Sequence, residues 1–352
     1  MLRNADLAEA LFSLAESHPP GEERWALLRA GYAVFDCPKE LGSVRRWPDA
    51  VPLEALPTLA MLKSCLGPDA LRAVVHRLAG PHHPRLMATR EGFLTAAEVT
   101  ASLAQSGELR LSELRGAVHW HTLASDGAGS LDAMARRCQQ RGASWAVVSD
   151  HSRGLACVNG LDAEGIAMQR RAVSAWNRRH GEELRLLQGL EVEILEDGRL
   201  DLPRQARSEL LILAAVHTGM EERKDQTGRL LRALEEPGVW ALAHPKCRLF
   251  ARRRGLRANW EVVFRQAAER GVLVEINGFP RRQDPDPGLL QLALDAGCRF
   301  LLASDAHHPR HLDFEAVAIA MARAGGVPRD AIASFAILDD VLDNLPAGIT
   351  PA

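Results

Sequence analysis

Nine side chains of the kinds that bind metal ions recur at one place in a repeating pattern: His119, His121, Asp126, His151, Glu191, His217, His244, Asp305 and His307. They stand at or just beyond the ends of short apolar runs, LRGAVHWH, WAVVSDH, LRLLQGLE, LLILAAVH, VWALAHP and RFLLASDAH; a seventh run, GVLVEIN, contributes Glu275 and Asn277. Six of the thirteen histidines belong to the set. One such histidine alone reads as a hydrogen-bonded core or surface residue, but nine groups sharing a position in a pattern read as a metal site. The spacing His119-Trp120-His121 suits a strand end, where alternate residues share a face and both imidazoles can reach one ion. Asp126 follows in a Ser-Asp-Gly turn, where an Asp also serves simply to form the turn. Asp150-His151 and Asp305-Ala306-His307 place candidates close together. In each, neighbours could serve different ions, or one could bind metal while the other fixes a tautomer. A mixed nitrogen and oxygen set without thiolates suits Zn2+, Mn2+ or Fe, and is unlike a closed structural zinc site.

Apolar runs of this length between helix-like segments predict buried parallel strands. Seven of them with a common ligand rim predict an α/β fold closed into a barrel, with the site at its C-terminal face. Crossover helices are expected over 130–142, 163–180, 203–209, 225–236, 259–270, 286–296 and 314–324. Gly142, Gly271 and Gly297 fall at helix ends, where a left-handed residue is favoured. Residues 1–78 predict a small all-helical N-terminal domain. Leu7, Leu11, Leu14 and Ala15 fall at helical spacing, as do Trp25, Leu28, Ala30 and Tyr32, with Pro19-Pro20-Gly21 as a break and a further helix pair around Gly67-Pro68. Residues 79–110 read as a linker and connecting helix, and 111–345 as the barrel. The adjacent His82 and His83 would point different ways on most backbones, and no carboxylate accompanies them.

The 352 residues, 47% hydrophobic and 25% charged, suit one barrel plus a smaller domain. A formal net charge of −2 gives no overall attraction to nucleic acid or membrane. Only four of the 43 basic residues are lysine. The six cysteines are scattered without a C-x-x-C pair, the N-terminal stretch is amphipathic rather than a signal peptide, and no apolar run reaches membrane-spanning length. A reduced, cytoplasmic setting is expected.

Taken in order, H-x-H-x4-D-G, S-D-H-S, G-x-E, A-V-H, A-H-P, E-I-N and S-D-A-H resemble the PHP (polymerase and histidinol phosphatase) superfamily over about 112–345. The segments AHPKCRLFARRRG, EINGFPRRQD and SDAHHPRHLD are most similar to the PHP domain at the C-terminus of bacterial family X DNA polymerases. The resemblance implies a distorted (β/α)7 barrel holding two to three divalent metal ions. One ion would take His119, His121, Glu191 and Asp305. A second would share Glu191 as a bridge with His217 and His244, and a third would take Asp126, His151 and His307.

Such a cluster favours phosphoester hydrolysis, because bridged ions make hydroxide available near neutral pH and offset phosphoryl charge. Arg248, Arg253, Arg281 and Arg282 are candidate substrate clamps, since a guanidinium matches phosphate oxygens in pairs. Arg248 and Arg282 are expected to hold the phosphate without touching the metals. The run Arg252-Arg253-Arg254 reads equally as a solvated face. Glu275 and Asn277 are expected to order the ligands from behind, and Asp150 to act as a general acid or as an orienting partner of a ligand His.

The implied activity is 3′–5′ exonuclease or phosphodiesterase action on DNA, with single-stranded 3′ ends as substrate. Near-neutral charge favours instead a phosphomonoesterase acting on a small metabolite of the histidinol phosphate type. A third reading, a non-catalytic partner in a DNA repair assembly, is opposed by the filled ligand set. The phrase MLKSCLGPDALRAVVHRLA is similar to the helix-hairpin-helix region of family X polymerases, with its Gly-x-Gly hairpin reduced to Gly67. Residues 1–110 hold 12 basic and 13 acidic residues by count, a poor balance for gripping a phosphate backbone. They read alternatively as a packing or dimerisation domain. With no Asp-x-Asp pair and too few residues there for palm and fingers, no polymerase activity is expected.

Overall fold

The computed structural model describes residues 3–17, 19–40, 89–154, 158–207, 209–221 and 224–345. The chain divides into two compact units, Met1–Gln105 and Ser106–Ala352. In the first, α1 (Asn4–Ser17) and α2 (Glu22–Phe35) pack together. The ring of Phe12 meets Tyr32 edge-on at 5.0 Å, and a Cβ on Gly31 would come within 2.6 Å of the Phe12 ring, so glycine there lets the helices close. Leu7, Leu11 and Ala15 are buried at the expected spacing. On α2 the buried stripe is Ala26, Leu27, Ala30 and Val34, whereas Trp25, expected to be part of it, is 61% exposed. Trp25 lies two positions before Leu27, about 200° of helical turn, which puts the indole on the opposite side. Arg90 is buried between Glu9 (2.6 Å) and Glu16 (2.8 Å). A capping box of Thr95 and Glu98 starts α3 (Ala96–Ala104). The expected helix pair around Gly67 and the pair His82-His83 lie outside the described residues.

The second unit is a closed barrel of seven parallel strands in chain order. They are β1 (Gly116–Trp120), β2 (Trp145–Val148), β3 (Arg185–Glu193), β4 (Leu211–Ala215), β5 (Val239–Leu242), β6 (Leu273–Asn277) and β7 (Phe300–Ala306). Six crossover helices stand where the apolar periodicity put them: α4 (Leu131–Gln140), α5 (Ala163–His180), α6 (Thr227–Glu235), α7 (Trp260–Arg270), α8 (Pro287–Asp295) and α9 (Glu315–Ala324). The helix expected over 203–209 is only a single 3-10 turn, Arg204–Ala206. That segment begins at a proline and offers too few residues for a nucleated α-helix. Gly142, Gly271 and Gly297 adopt φ values of 85°, 67° and 86°, the left-handed conformation that ends a helix.

Alternation along the strands divides the core. Val147, Leu187, Leu211, Leu213, Leu273 and Leu301 share one buried cluster with Ala333 and Val341 of the C-terminal segment, which includes α10 (Leu338–Asp343). Ala146, Val148 and Leu186 pack the other way, against Met134, Cys138, Val173 and Trp176 of α4 and α5. The first row, continued two residues at a time, runs Leu187–Gly189–Glu191–Glu193 on β3, Leu273–Glu275–Asn277 on β6 and Leu301–Ala303–Asp305 on β7. The same residues that fill the core thus carry the acidic groups up to the C-terminal rim. No described helix is long and apolar enough to cross a membrane.

Candidate metal centre

All nine side chains converge at that rim. Glu191 lies at their centre. Its Oε2 is 3.1 Å from His119 Nε2, 3.5 Å from His121 Nε2 and 3.2 Å from His151 Nδ1. Its Oε1 is 3.0 Å from His217 Nε2 and 2.7 Å from His244 Nε2. Asp305 Oδ1 stands 3.7 Å from His119 Nε2 and 3.4 Å from His121 Nε2. Toward the outside, Asp126 approaches His121 (3.7 Å), His151 (3.6 Å) and His307 (3.3 Å).

Four overlapping groups could each hold an ion: His121, Asp126, His151 and His307; His119, His244 and Asp305; His119, His121 and Glu191; and His151, Glu191 and His217. Two ligands roughly 2.1 Å from one ion, at angles of 90–110°, stand about 3.0–3.4 Å apart. Most of the separations above fall in or near that range.

The hydrogen-bond inventory also fits metal binding. His119 Nε2, His121 Nδ1 and Nε2, His151 Nδ1, His217 Nε2 and His244 Nδ1 are buried without a hydrogen-bond partner among the described residues. Buried polar nitrogens are rarely left so unless a water or an ion satisfies them. The set therefore accommodates divalent cations.

Two devices aim these groups. The first is backbone strain: His119, His244 and Asp305 adopt φ values of 58°, 26° and 52°, a region that residues with a Cβ seldom enter. At His119 the β1–β7 register shifts between Val118 and Trp120. From Val118 to Trp120 β1 advances two residues and β7 three, so the extra residue of the bulge lies on β7, between Ala303 and Ala306 and opposite His119. On β1, Val118 packs with the inner cluster and Trp120 with the outer one, so side-chain alternation breaks at His119. The His119/His121 pair therefore reaches Glu191 through the left-handed backbone at His119, and not through simple strand alternation as its spacing suggested. The second device is a ring of hydrogen bonds from behind. Glu275 Oε2 lies 2.8 Å from His119 Nδ1, and Glu275 Oε1 accepts from Asn277 Nδ2 at 2.6 Å. Asn277 Nδ2 also donates to Asp305 Oδ2 at 3.2 Å. His307 Nδ1 is 2.9 Å from the Asp305 carbonyl.

Electrostatics separate the members. Burial alone would raise the Glu191 carboxyl, but the imidazoles of His119, His151 and His217 hold it well below the usual range. Burial likewise opposes the ionised form of Asp305, yet His119 and Arg282 hold it well below its ordinary value. Burial pushes His244 down to about 3, assisted by Arg282, and His151 down to about 4. His119 is raised because the Glu275, Glu191 and Asp305 carboxylates outweigh its burial. The cluster is built around anions whose neighbours can give up protons to a cation.

The remaining candidates divide. Asp150 is buried, and its carboxylate accepts from Thr122 N (2.7 Å), Thr122 Oγ1 (2.9 Å), Ser125 Oγ (2.7 Å) and Gln169 Nε2 (3.0 Å). It ties down the turn that carries Asp126 and belongs to none of the four groups. Arg282 Nε meets Asp305 Oδ2 at 2.9 Å, so it does touch a candidate ligand, contrary to the expectation of a clamp independent of the metals. Arg248 is buried in the β5–α7 loop, its backbone N–H donating to Asp284 and its Nη1 3.5 Å from Asp286. Arg253 donates to the Cys247 carbonyl at 2.6 Å, Arg281 lies over the Phe250 ring at 5.4 Å, and Arg252 and Arg254 are exposed.

One residue escaped the sequence reading. Glu193 Oε2 lies 2.8 Å from His217 Nδ1. The signal was present, since Glu193 stands two residues beyond Glu191 on the same strand face. Among the described cysteines, Cys37, Cys138, Cys247 and Cys298 are free and buried.

The chain is 31% identical over 235 residues to the DNA polymerase/3′-5′ exonuclease PolX of Bacillus subtilis (strain 168). The match takes in 66% of this chain and 41% of that protein, so the chain spans about two-fifths of the relative's length. No family model matches. Among solved structures, a histidinol phosphate phosphatase from Lactococcus lactis, complexed with zinc, L-histidinol and phosphate, aligns with a TM-score of 0.41 and 14% identity. It covers 60% of this chain and 94% of that one. A two-domain protein from Bacteroides vulgatus, containing a predicted PHP-like metal-dependent phosphoesterase, aligns with a TM-score of 0.32 and 16% identity, covering 56% of this chain and 53% of that one. With its motifs in order on a closed seven-stranded barrel and that identity to PolX, this chain belongs to the PHP superfamily.

Proposed function

We propose that the barrel is a metal-dependent phosphoesterase that cleaves phosphodiester bonds at the 3′ ends of single-stranded DNA, using about two to three divalent ions. The observation that carries this reading is Glu191, whose two oxygens face five imidazoles from the ends of four different strands. A carboxylate so placed bridges cations. Zn2+, Mn2+ or Fe held there would supply a nucleophilic water near neutral pH and offset charge on the phosphoryl oxygens.

The chain's own residues have separable tasks in this reading. Glu191 joins the His119/His121 side to the His217/His244 side. Glu275 fixes His119 so that Nε2 faces the cluster, and Asn277 joins Glu275 to Asp305. Arg282 spends Nε on Asp305 and leaves Nη1, which has no partner among the described residues, to meet a phosphoryl oxygen. Asp150 holds the Thr122–Asp126 turn and thereby sets how far Asp126 closes over the opening; it is a positioning residue here, not a proton donor.

The similarity to the 3′-5′ exonuclease PolX of Bacillus subtilis supports the exonuclease form of this reading. The formal charge of −2 favours the alternative of a small phosphomonoester. A panel of single-stranded DNA, bis(p-nitrophenyl) phosphate and histidinol phosphate, each with added Mn2+, separates them. Release of nucleotides from 3′ ends, with little action on histidinol phosphate, is expected. Selective hydrolysis of histidinol phosphate would establish the alternative, and inertness toward all three would point to a non-catalytic partner.

A further inference from the structure

His217 differs from its companions in how it is held. Strand β4 ends at Ala215, so His217 sits in the following loop without the strained, fully buried backbone that aims His119 and His244. Something else must fix its ring. Glu193, itself buried, receives the His217 backbone N–H at 2.9 Å and lies 2.8 Å from His217 Nδ1, both through Oε2. Its Oε1 accepts from Thr218 N at 3.0 Å and Thr218 Oγ1 at 2.7 Å. Behind it stands Arg229 of α6, also buried, with Nη2 3.4 Å from Glu193 Oε1. Arg229 donates further to the carbonyls of Ile194 (3.1 Å), Leu195 (3.0 Å) and Thr218 (3.0 Å). A guanidinium from the crossover helix thus pins the ends of β3 and β4 together and neutralises the carboxylate between them.

We infer that Glu193, backed by Arg229, is the positioning residue that sets metal affinity at the His151–Glu191–His217 corner of the cluster. Its oxygens face donors on both sides, which makes Nδ1 of His217 the protonated nitrogen and turns the Nε2 lone pair toward Glu191 Oε1, 3.0 Å away. Two acceptors at that distance repel unless a proton or a metal ion lies between them, so the lock prepares the corner for a cation. The inference rests on His217 being a ligand.

The charge matters as well as the shape. Glu193 Oε2 meets two donors and Oε1 three, so Glu193→Gln would set an NH2 group against N–H donors on either side and remove the charge that Arg229 faces. The test uses the full-length protein stripped by chelator and titrated with Mn2+, read by calorimetry and by the rise in Tm that Mn2+ produces. Glu193→Gln is expected to weaken one Mn2+ ion by about 10–100-fold and to shrink the Mn2+-induced rise in Tm. Glu193→Asp, which keeps the acceptors but withdraws them by one methylene, should recover part of that affinity. Added to His217→Ala, Glu193→Gln should cause no further loss, because it acts through that imidazole. Parental Mn2+ binding in Glu193→Gln, while His217→Ala loses an ion, would overturn the inference alone. So would an equal loss in the two backgrounds, or variants whose only change is a lower Tm of the metal-free protein. Unchanged Mn2+ binding in His217→Ala would overturn the ligand assignment and this inference with it.

Discussion

The two sides of the cluster are built differently. His119, His244 and Asp305 are wholly or almost wholly buried, stand on left-handed backbone, and are backed by Glu275, Asn277 and Arg282. Asp126 and His307 keep 28% and 30% of their side-chain surface exposed, and their backbone is unstrained. Strain persists only where surrounding contacts over-determine it. In the proposed reading the buried side is a fixed mould for ions, and the Asp126–His307 side is where solvent and substrate would reach them.

The largest effect that bears on this contrast is expected from Glu191→Ala. It should lower turnover by on the order of 1000-fold or more, the scale seen when a charge-stabilising element is lost from an active site. Occupancy should fall at two ions together. The variant should also melt earlier, since bound metal stabilises only the folded state. Next, Glu275→Gln on the buried side should weaken metal binding by about 10–100-fold, while Asp126→Ala on the open side should cost one ion and leave the others in place. Equal, global metal loss in both, read by elemental analysis, would erase the distinction between mould and mouth. Smaller again, Arg282→Ala should reduce kcat/KM and also loosen metal, because its Nε holds Asp305. Arg248→Ala, whose contacts are with Asp286 and the Asp284-bound loop, should leave metal content unchanged.

Much of this was legible in the sequence because strand ends are marked by residue type. Seven apolar runs fixed the barrel, and the ligand histidines stand out against apolar neighbours. The break in alternation at His119 was not legible, because a positive φ in a non-glycine residue leaves no composition signal. Nor was the true face of α2, where Trp25 suggested burial that Ala26, Leu27 and Ala30 supply. Glu193 was overlooked because Glu191 already explained its strand, although strand periodicity placed both on one face. Asp150 adjoins His151 in sequence, yet alternation turns it toward Thr122, Ser125 and Gln169.

The smallest expected effect tests the electrostatic half of the contrast with a buried carboxylate outside the cluster. Glu315, at the start of α9, has Arg141 at 2.9 Å but no ring of imidazoles, and burial pushes its carboxyl up to about 7. Here the folded state binds the proton more tightly than the unfolded one. The group's contribution is therefore full below its unfolded pKa near 4.5 and is lost as pH rises toward 7. Glu315→Gln removes that loss. The stability of the variant relative to the parent should rise by on the order of 2–3 kcal/mol between pH 4.5 and 7.5, measured by urea unfolding at a series of pH values. A constant difference across that range would mean that burial does not act on Glu315 as described.

The central claim is that the nine-residue rim holds a multinuclear metal centre bridged by Glu191. Elemental analysis of desalted full-length protein and of Glu191→Ala, followed by activity with added Mn2+ or Zn2+, tests it most directly. The account predicts about two to three ions per chain in the parent, at least two fewer in the variant, and hydrolysis that returns on metal addition only to the parent. Less than about one ion in the parent with no activity regained, or parental turnover in Glu191→Ala, would contradict it.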